Sequence, residues 1–167
     1  MALYSSQKLR SRCKSVLPVI GAALMLSAIP TAIFAASEGN AEAQEAFAKA
    51  QQFREGKDIR SARIELMNAI KADPQWIDAR VAQAEVLLRL FDGIGAEAEL
   101  DRAVQLGRDP ATLRHLYGHA LLLQGEGQKA RDQLSADDIP LEYRGYAARI
   151  SGKVALDLGD PELAGLF

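Results

Sequence analysis

The chain has 167 residues, 49% of them hydrophobic and 25% charged, with a formal net charge of −2. That balance fits a folded globular domain and excludes a disordered one. The first 36 residues hold four of the 20 basic residues and no acid, so the remainder carries 16 basic against 22 acidic residues. A mildly acidic body offers no electrostatic footprint for nucleic acid.

Residues 1–36 read as an export signal. Lys8, Arg10, Arg12 and Lys14 precede the apolar run VLPVIGAALMLSAIPTAIFAA, and small residues follow at Ala35, Ala36 and Ser37. Basic, apolar, small is the order of a secretory signal. Cleavage after Ala35 or Ala36 is expected. An uncleaved membrane anchor is the alternative, although Pro18 and Pro30 interrupt the run. Cys13, the one cysteine, lies before the run. A lipid-anchored cysteine would follow it. Disulfides and thiolate metal sites are therefore not expected in residues 37–167.

From residue 40 onward the sequence counts in thirty-fours. Ala50, Ala84, Gly118 and Gly152 are spaced by that step, and so are Ala62, Ala96, Ala130 and Ala164, and Leu66, Leu100 and Leu134. A fixed period of this length predicts a helix–turn–helix unit, here called A then B. The small residues are expected where A and B cross closest, with Ala69 and Ala103 facing the next A helix. The spacing predicts helices over about 40–55, 58–71, 75–91, 94–106, 111–124, 127–135, 141–158 and 161–167. Asp73-Pro74, Asp109-Pro110 and Asp160-Pro161 are expected to start A or B helices as cap and first residue. Glu55-Gly56, Gly93, Gly125 and Gly159 are expected in the A-to-B turns. No segment alternates as a strand would. Trp76 is expected to pack between the first two units.

Over residues 40–167 the chain resembles the tetratricopeptide repeat family. The likeness rests on the small positions and on Leu66, Leu100 and Leu134. It implies an all-α fold, a right-handed α-solenoid of three full repeats (43–76, 77–110, 111–144) and a truncated fourth (145–167). The chain departs from the family at the bulky aromatic near the start of helix A, where it has Ala46, Arg80, Arg114 and Ala148. The run AVQLGRDPATLRHLYGHALLLQGEGQKARDQL, and the later LDLGD, are similar to repeats in the large tetratricopeptide proteins of bacterial PEP-CTERM/exosortase systems. That resemblance implies an exported adaptor in the periplasm or cell envelope, linked to exopolysaccharide production or protein sorting.

The inner face of such a stack is lined by A helices. The repeat frame puts Gln44, Phe47, Gln51 and Arg54 there, then Asp78, Val81, Glu85 and Leu88. Thr112, His115, His119 and Leu122 follow, then Tyr146, Arg149, Lys153 and Leu156. From these, Gln51, Arg54, Asp78, Glu85, His115, His119, Tyr146, Arg149 and Lys153 form a candidate groove for a protein or peptide. The Lys-plus-Asn pair with which some family members clamp a terminal carboxylate is absent from these positions. His115 and His119 share one helix face at metal-compatible spacing. With no acid placed beside them, paired surface histidines are the expected reading and a histidine-dependent metal enzyme the remote one. Arg149 and Lys153 could add a patch for an acidic peptide or sugar acid. No Ser-His-Asp set or facing pair of acids is suggested, so neither enzyme chemistry nor a cofactor is expected. A second reading is a piece of a longer array. The C-terminal side, with Leu163, Leu166 and Phe167, is expected to self-associate.

Mature protein from a bacterial host is expected to begin near Ser37. Mass analysis finding an intact Met1 in the membrane fraction would establish the anchor instead.

Overall fold

A computed structural model describes residues 38–160. The expected signal segment, Cys13 and the final segment Pro161–Phe167 lie outside the described residues. Among the described residues the chain is all-helical. The helices are α1 (Ala41–Glu55), α2 (Ile59–Ala72), α3 (Ile77–Arg89), α4 (Gly93–Gln105), α5 (Arg114–Leu123), α6 (Gly127–Leu134) and α7 (Leu141–Asp157), with a 3-10 turn at Pro110–Leu113 before α5. None is long and apolar enough to cross a membrane.

Each helix packs on its neighbour in the chain. The close pairs are α1 with α2, α3 with α4 and α5 with α6; α2, α4 and α6 each then meet the helix that follows. In addition α3 lies against α5, and α5 against α7. The first helices of successive pairs are thereby brought side by side.

The count of thirty-four is written into the backbone. The residue in the left-handed region after the first helix of each pair, and after α7, is Lys57, then Phe91, Gly125 and Gly159. The next residue closes a six-residue turn each time. The amides of Asp58, Asp92, Glu126 and Asp160 donate to the carbonyls of Phe53, Leu87, Leu121 and Ala155 at 2.8–2.9 Å. These bonds satisfy carbonyls that a helix end would otherwise leave unpaired. Asp58 and Asp92 then cap the second helix, accepting from the amides of Ser61 (3.1 Å) and Gly95 (2.8 Å). The fourth recurrence places the same turn after α7.

Small side chains set the approach within each pair. Ala50, Ala62, Ala84, Ala96 and Ala130 have no solvent exposure, nor do Ala69 and Ala103. Ala103 shares a cluster with Leu113, Leu116 and Ala120, which is the expected contact between a second helix and the next first helix. At Gly118 the approach is tighter. A Cβ there would sit 2.5 Å from Leu134 Cγ, so the position admits only hydrogen.

Three details differ from the sequence reading. Asp73 does not cap α3: its amide closes α2 on Ala69 O, its carboxylate takes the Gln75 amide, and α3 starts at Ile77 with no side-chain cap. Asp109 does cap, accepting from Ala111, but Pro110 opens a 3-10 turn and the α-helix begins only at Arg114. Gly56 lies in its turn as expected, with a right-handed φ of −71°, whereas Gly93 opens α4 instead of lying in the turn; the left-handed residues are Lys57, one position after Gly56, and Phe91, two before Gly93. Gly93 is small for another reason. A Cβ on it would lie 2.6 Å from Ala120 O of α5. Nothing in the structure explains phenylalanine at 91, whose ring is 80% exposed.

Two substitutions test this geometry in opposite directions. Gly118→Ala forces a methyl into the Leu134 side chain and should cost about 1–3 kcal/mol in urea unfolding. Phe91→Gly relieves a left-handed φ and should stabilise by about 1 kcal/mol.

Candidate functional site

The residues expected on the A-helix face fall into two halves. On α1 and α3 the charges are paired. Arg54 Nη2 reaches Glu85 Oε2 at 2.6 Å, joining the first helices of two pairs, and Arg54 Nη1 also donates to Gln51 Oε1 at 3.4 Å. Asp78 accepts from Arg108 Nη1 at 3.3 Å. Gln44 turns back to the carbonyls of Glu38 and Gly39. Phe47 is half-buried against Trp76, with ring centroids 4.7 Å apart. Leu88, expected on the open face, belongs to the core and is 2% exposed.

The half formed by α5 and α7 differs. His115 is buried, and its ring stacks on Tyr143 at 4.3 Å with an interplanar angle of 9°. Tyr146 meets the same ring edge-on at 5.3 Å. The two histidines therefore take different surroundings in spite of their shared spacing. His119 Nδ1 and the Tyr146 hydroxyl share one hydrogen bond of 2.6 Å across the α5–α7 junction. The Arg149 guanidinium lies over the Tyr146 ring, 4.7 Å from its centroid. Arg149 and Lys153 are exposed and have no carboxylate partner among the described residues. Thr112 lies in the 3-10 turn and donates to Asp109 O.

Electrostatics follow from this packing. Burial pushes the His115 imidazole down to about 4, and its Nδ1 has no hydrogen-bond partner. His119 is lowered by burial first, then by the charges of Lys153 and Arg149. The Tyr146 phenol is raised, chiefly by burial. At neutral pH the junction thus holds two neutral imidazoles and a neutral phenol below two free cations. Among the described residues no three His, Cys, Asp or Glu side chains converge as metal ligands would.

Sequence reasoning missed Tyr143. Helix α7 starts at Leu141, as the expected helix 141–158 has it, but the face positions were counted only from Tyr146 onward, and the first turn carries Tyr143 over His115. The partners of Arg80 and Arg114 were also missed. Arg80 Nη1 pairs with Glu99 at 2.9 Å while Nε and Nη2 donate to Pro74 O; Arg114 donates to Gln133 and Asp138. Glu99 and Gln133 are themselves 34 residues apart, a signal the frame contained.

Comparison with protein-family models, curated proteins and solved structures finds no match for this chain.

The buried histidine gives a pH dependence of stability. Unfolded His115 binds a proton near 6.5 and the folded ring only near 4. The unfolded state therefore holds more protons between those values. The contribution is complete above about pH 6.5 and is lost as pH falls toward 4, on the order of 2 kcal/mol. His119 acts in the same direction. His115→Phe keeps a ring against Tyr143 and should flatten the fall in urea stability between about pH 7 and pH 5.

Proposed function

We propose that this chain is an exported binding scaffold, a right-handed α-solenoid of tetratricopeptide units with three complete repeats and a fourth begun, and not an enzyme. Its A-helix face takes a protein or peptide partner in the periplasm or envelope of a bacterium. The setting implied by its resemblances is exopolysaccharide production or PEP-CTERM protein sorting. The observation that carries the reading is the packing of α3 on α5 and of α5 on α7, with the same hydrogen-bonded turn recurring every 34 residues. Such stacks present one continuous face made from many units, and binding is what that architecture serves. The side chains that face carries include Arg54, Glu85, His119, Tyr146, Arg149 and Lys153.

A second reading, one stretch of a longer stack, is favoured by α7. Leu141 and Leu156 are 79% and 64% exposed there, and a cavity of about 270 Å³ opens beside Leu134, Ile139, Ala147 and Ser151. Concentration-dependent mass in light scattering would support it.

A photo-crosslinker placed at Gln51, on the A-helix face, should trap a discrete adduct in envelope extract, and one placed at Asn68, on α2, should not. Equal labelling from both positions, or none from Gln51, would remove the scaffold reading.

A further inference from the structure

Along the A-helix face Arg54, Glu85 and Asp78 of α1 and α3 already have charged partners, and Arg149 and Lys153 of α7 have no carboxylate partner among the described residues. Arg54 is held by Glu85 and Asp78 by Arg108. Arg149 and Lys153 stand one turn apart on α7, both exposed and neither in an ion pair. We propose that Arg149, Lys153 and the His119–Tyr146 pair form a binding site for side-chain carboxylates of an acidic, leucine-containing peptide segment.

The geometry is that of a prepared site. The Tyr146 ring lies beneath the Arg149 guanidinium at 4.7 Å, which restrains a side chain that would otherwise sweep through solvent. Tyr146 is in turn fixed by its 2.6 Å bond to His119 and by the edge of His115. Less rotamer freedom remains for a ligand to remove. Arg149 offers a planar fork to a carboxylate and Lys153 a second positive charge one turn away. The acid that acts on Tyr146 from α3 is Glu85, and Arg54 already neutralises it at 2.6 Å. No described carboxylate competes for the two cations.

The flanks select a peptide over an acidic sugar chain. Leu156 continues the Arg149–Lys153 face by one further turn and is 64% exposed. Leu122 lies one turn beyond His119 on α5 and is half-buried. An aliphatic side chain next to a carboxylate would cover both leucines, and a uronate has nothing to place there. The local excess of positive charge also stands against the net acidic character of residues 37–167, which would hold an acidic segment away from the rest of the surface.

This proposal rests on the scaffold reading, and a defined ligand tests it separately. The probe is a fluorescent dodecapeptide of alternating Glu and Leu with both ends blocked, so that only side-chain carboxylates are offered. Anisotropy should show saturable binding to the protein, weakened by added salt. Arg149→Ala with Lys153→Ala should weaken it by about tenfold or more. Both side chains are exposed, so the helix should survive, as circular dichroism would check. Tyr146→Phe keeps the ring under Arg149 and removes the hydroxyl, and should weaken binding by a smaller factor. Replacing every Glu of the peptide by Gln should abolish binding. Undiminished binding of the Gln peptide, indifference to the double substitution, or binding of an oligogalacturonate in preference to the peptide would each overturn the proposal. So would an absence of binding. The scaffold reading fails instead on the crosslinking contrast between Gln51 and Asn68, which involves neither cation.

Discussion

Everything else in the fold depends on how close two backbones can come. Within a pair the crossing is lined by side chains no larger than a methyl group: Ala50 and Ala62, Ala84 and Ala96, Gly118 and Ala130. At Gly118 even a methyl would collide with Leu134. Close crossing fixes the tilt of the second helix on the first. That tilt decides where the next first helix arrives, and so whether α5 and α7 meet at all. The larger core residues, Leu66, Leu100, Leu113 and Ile150, then fill what the crossings leave. Helices packed in succession this way build several local clusters instead of one central core, so each junction must be sound by itself.

The position near the start of the first helix in each pair, held by Ala46, Arg80 and Arg114, shows how equivalent places can be filled by different chemistry. Arg80 is 8% exposed. Its aliphatic stem covers apolar surface as an aromatic ring would, and its guanidinium finds Glu99 and a backbone carbonyl. A buried charge so partnered costs little net free energy, and losing Glu99 would leave it unpaired. In the next pair Arg114 repeats the arrangement with Gln133 and adds Asp138 from the loop. The first pair has Ala46 there, and a cavity of about 590 Å³ lies beside it, lined by Glu65, Asn68 and Lys71.

Among the described residues the order of helices was legible because apolar periodicity and the step of 34 agree over most of that stretch. Helix ends were less so. Asp-Pro at 73–74 and at 109–110 looks the same in sequence, yet one closes a helix and the other opens a 3-10 turn, since the difference lies in which amides each carboxylate can reach. The turns between paired helices were read from glycines, but the left-handed residue of the first two is Lys57 and Phe91, a position that only counting from the helix end selects. The A-helix face was legible as a set of positions. Its division into a neutralised half and a cationic half was not, because Glu85 and Arg54 meet only across two helices. His115 was placed on an open face because the frame counted face positions on the fourth first helix only from Tyr146, leaving out Tyr143, which stacks on the ring.

Trp76 is the only tryptophan in the sequence. It is 6% exposed, rests on Phe47, and is covered by the backbone at Gly39, where a Cβ would come within 2.5 Å of the indole. The segment entering the first helix is thus a lid on the chromophore, tied down by Asn40 to the carbonyl of Ala72 at 2.7 Å. The indole's emission therefore carries information about one place alone: the seam where the lead-in, α1 and the start of α3 close together. With a single emitter at that end, loosening there is optically separable from events at α5 and α7, and the protein has its own position-specific reporter.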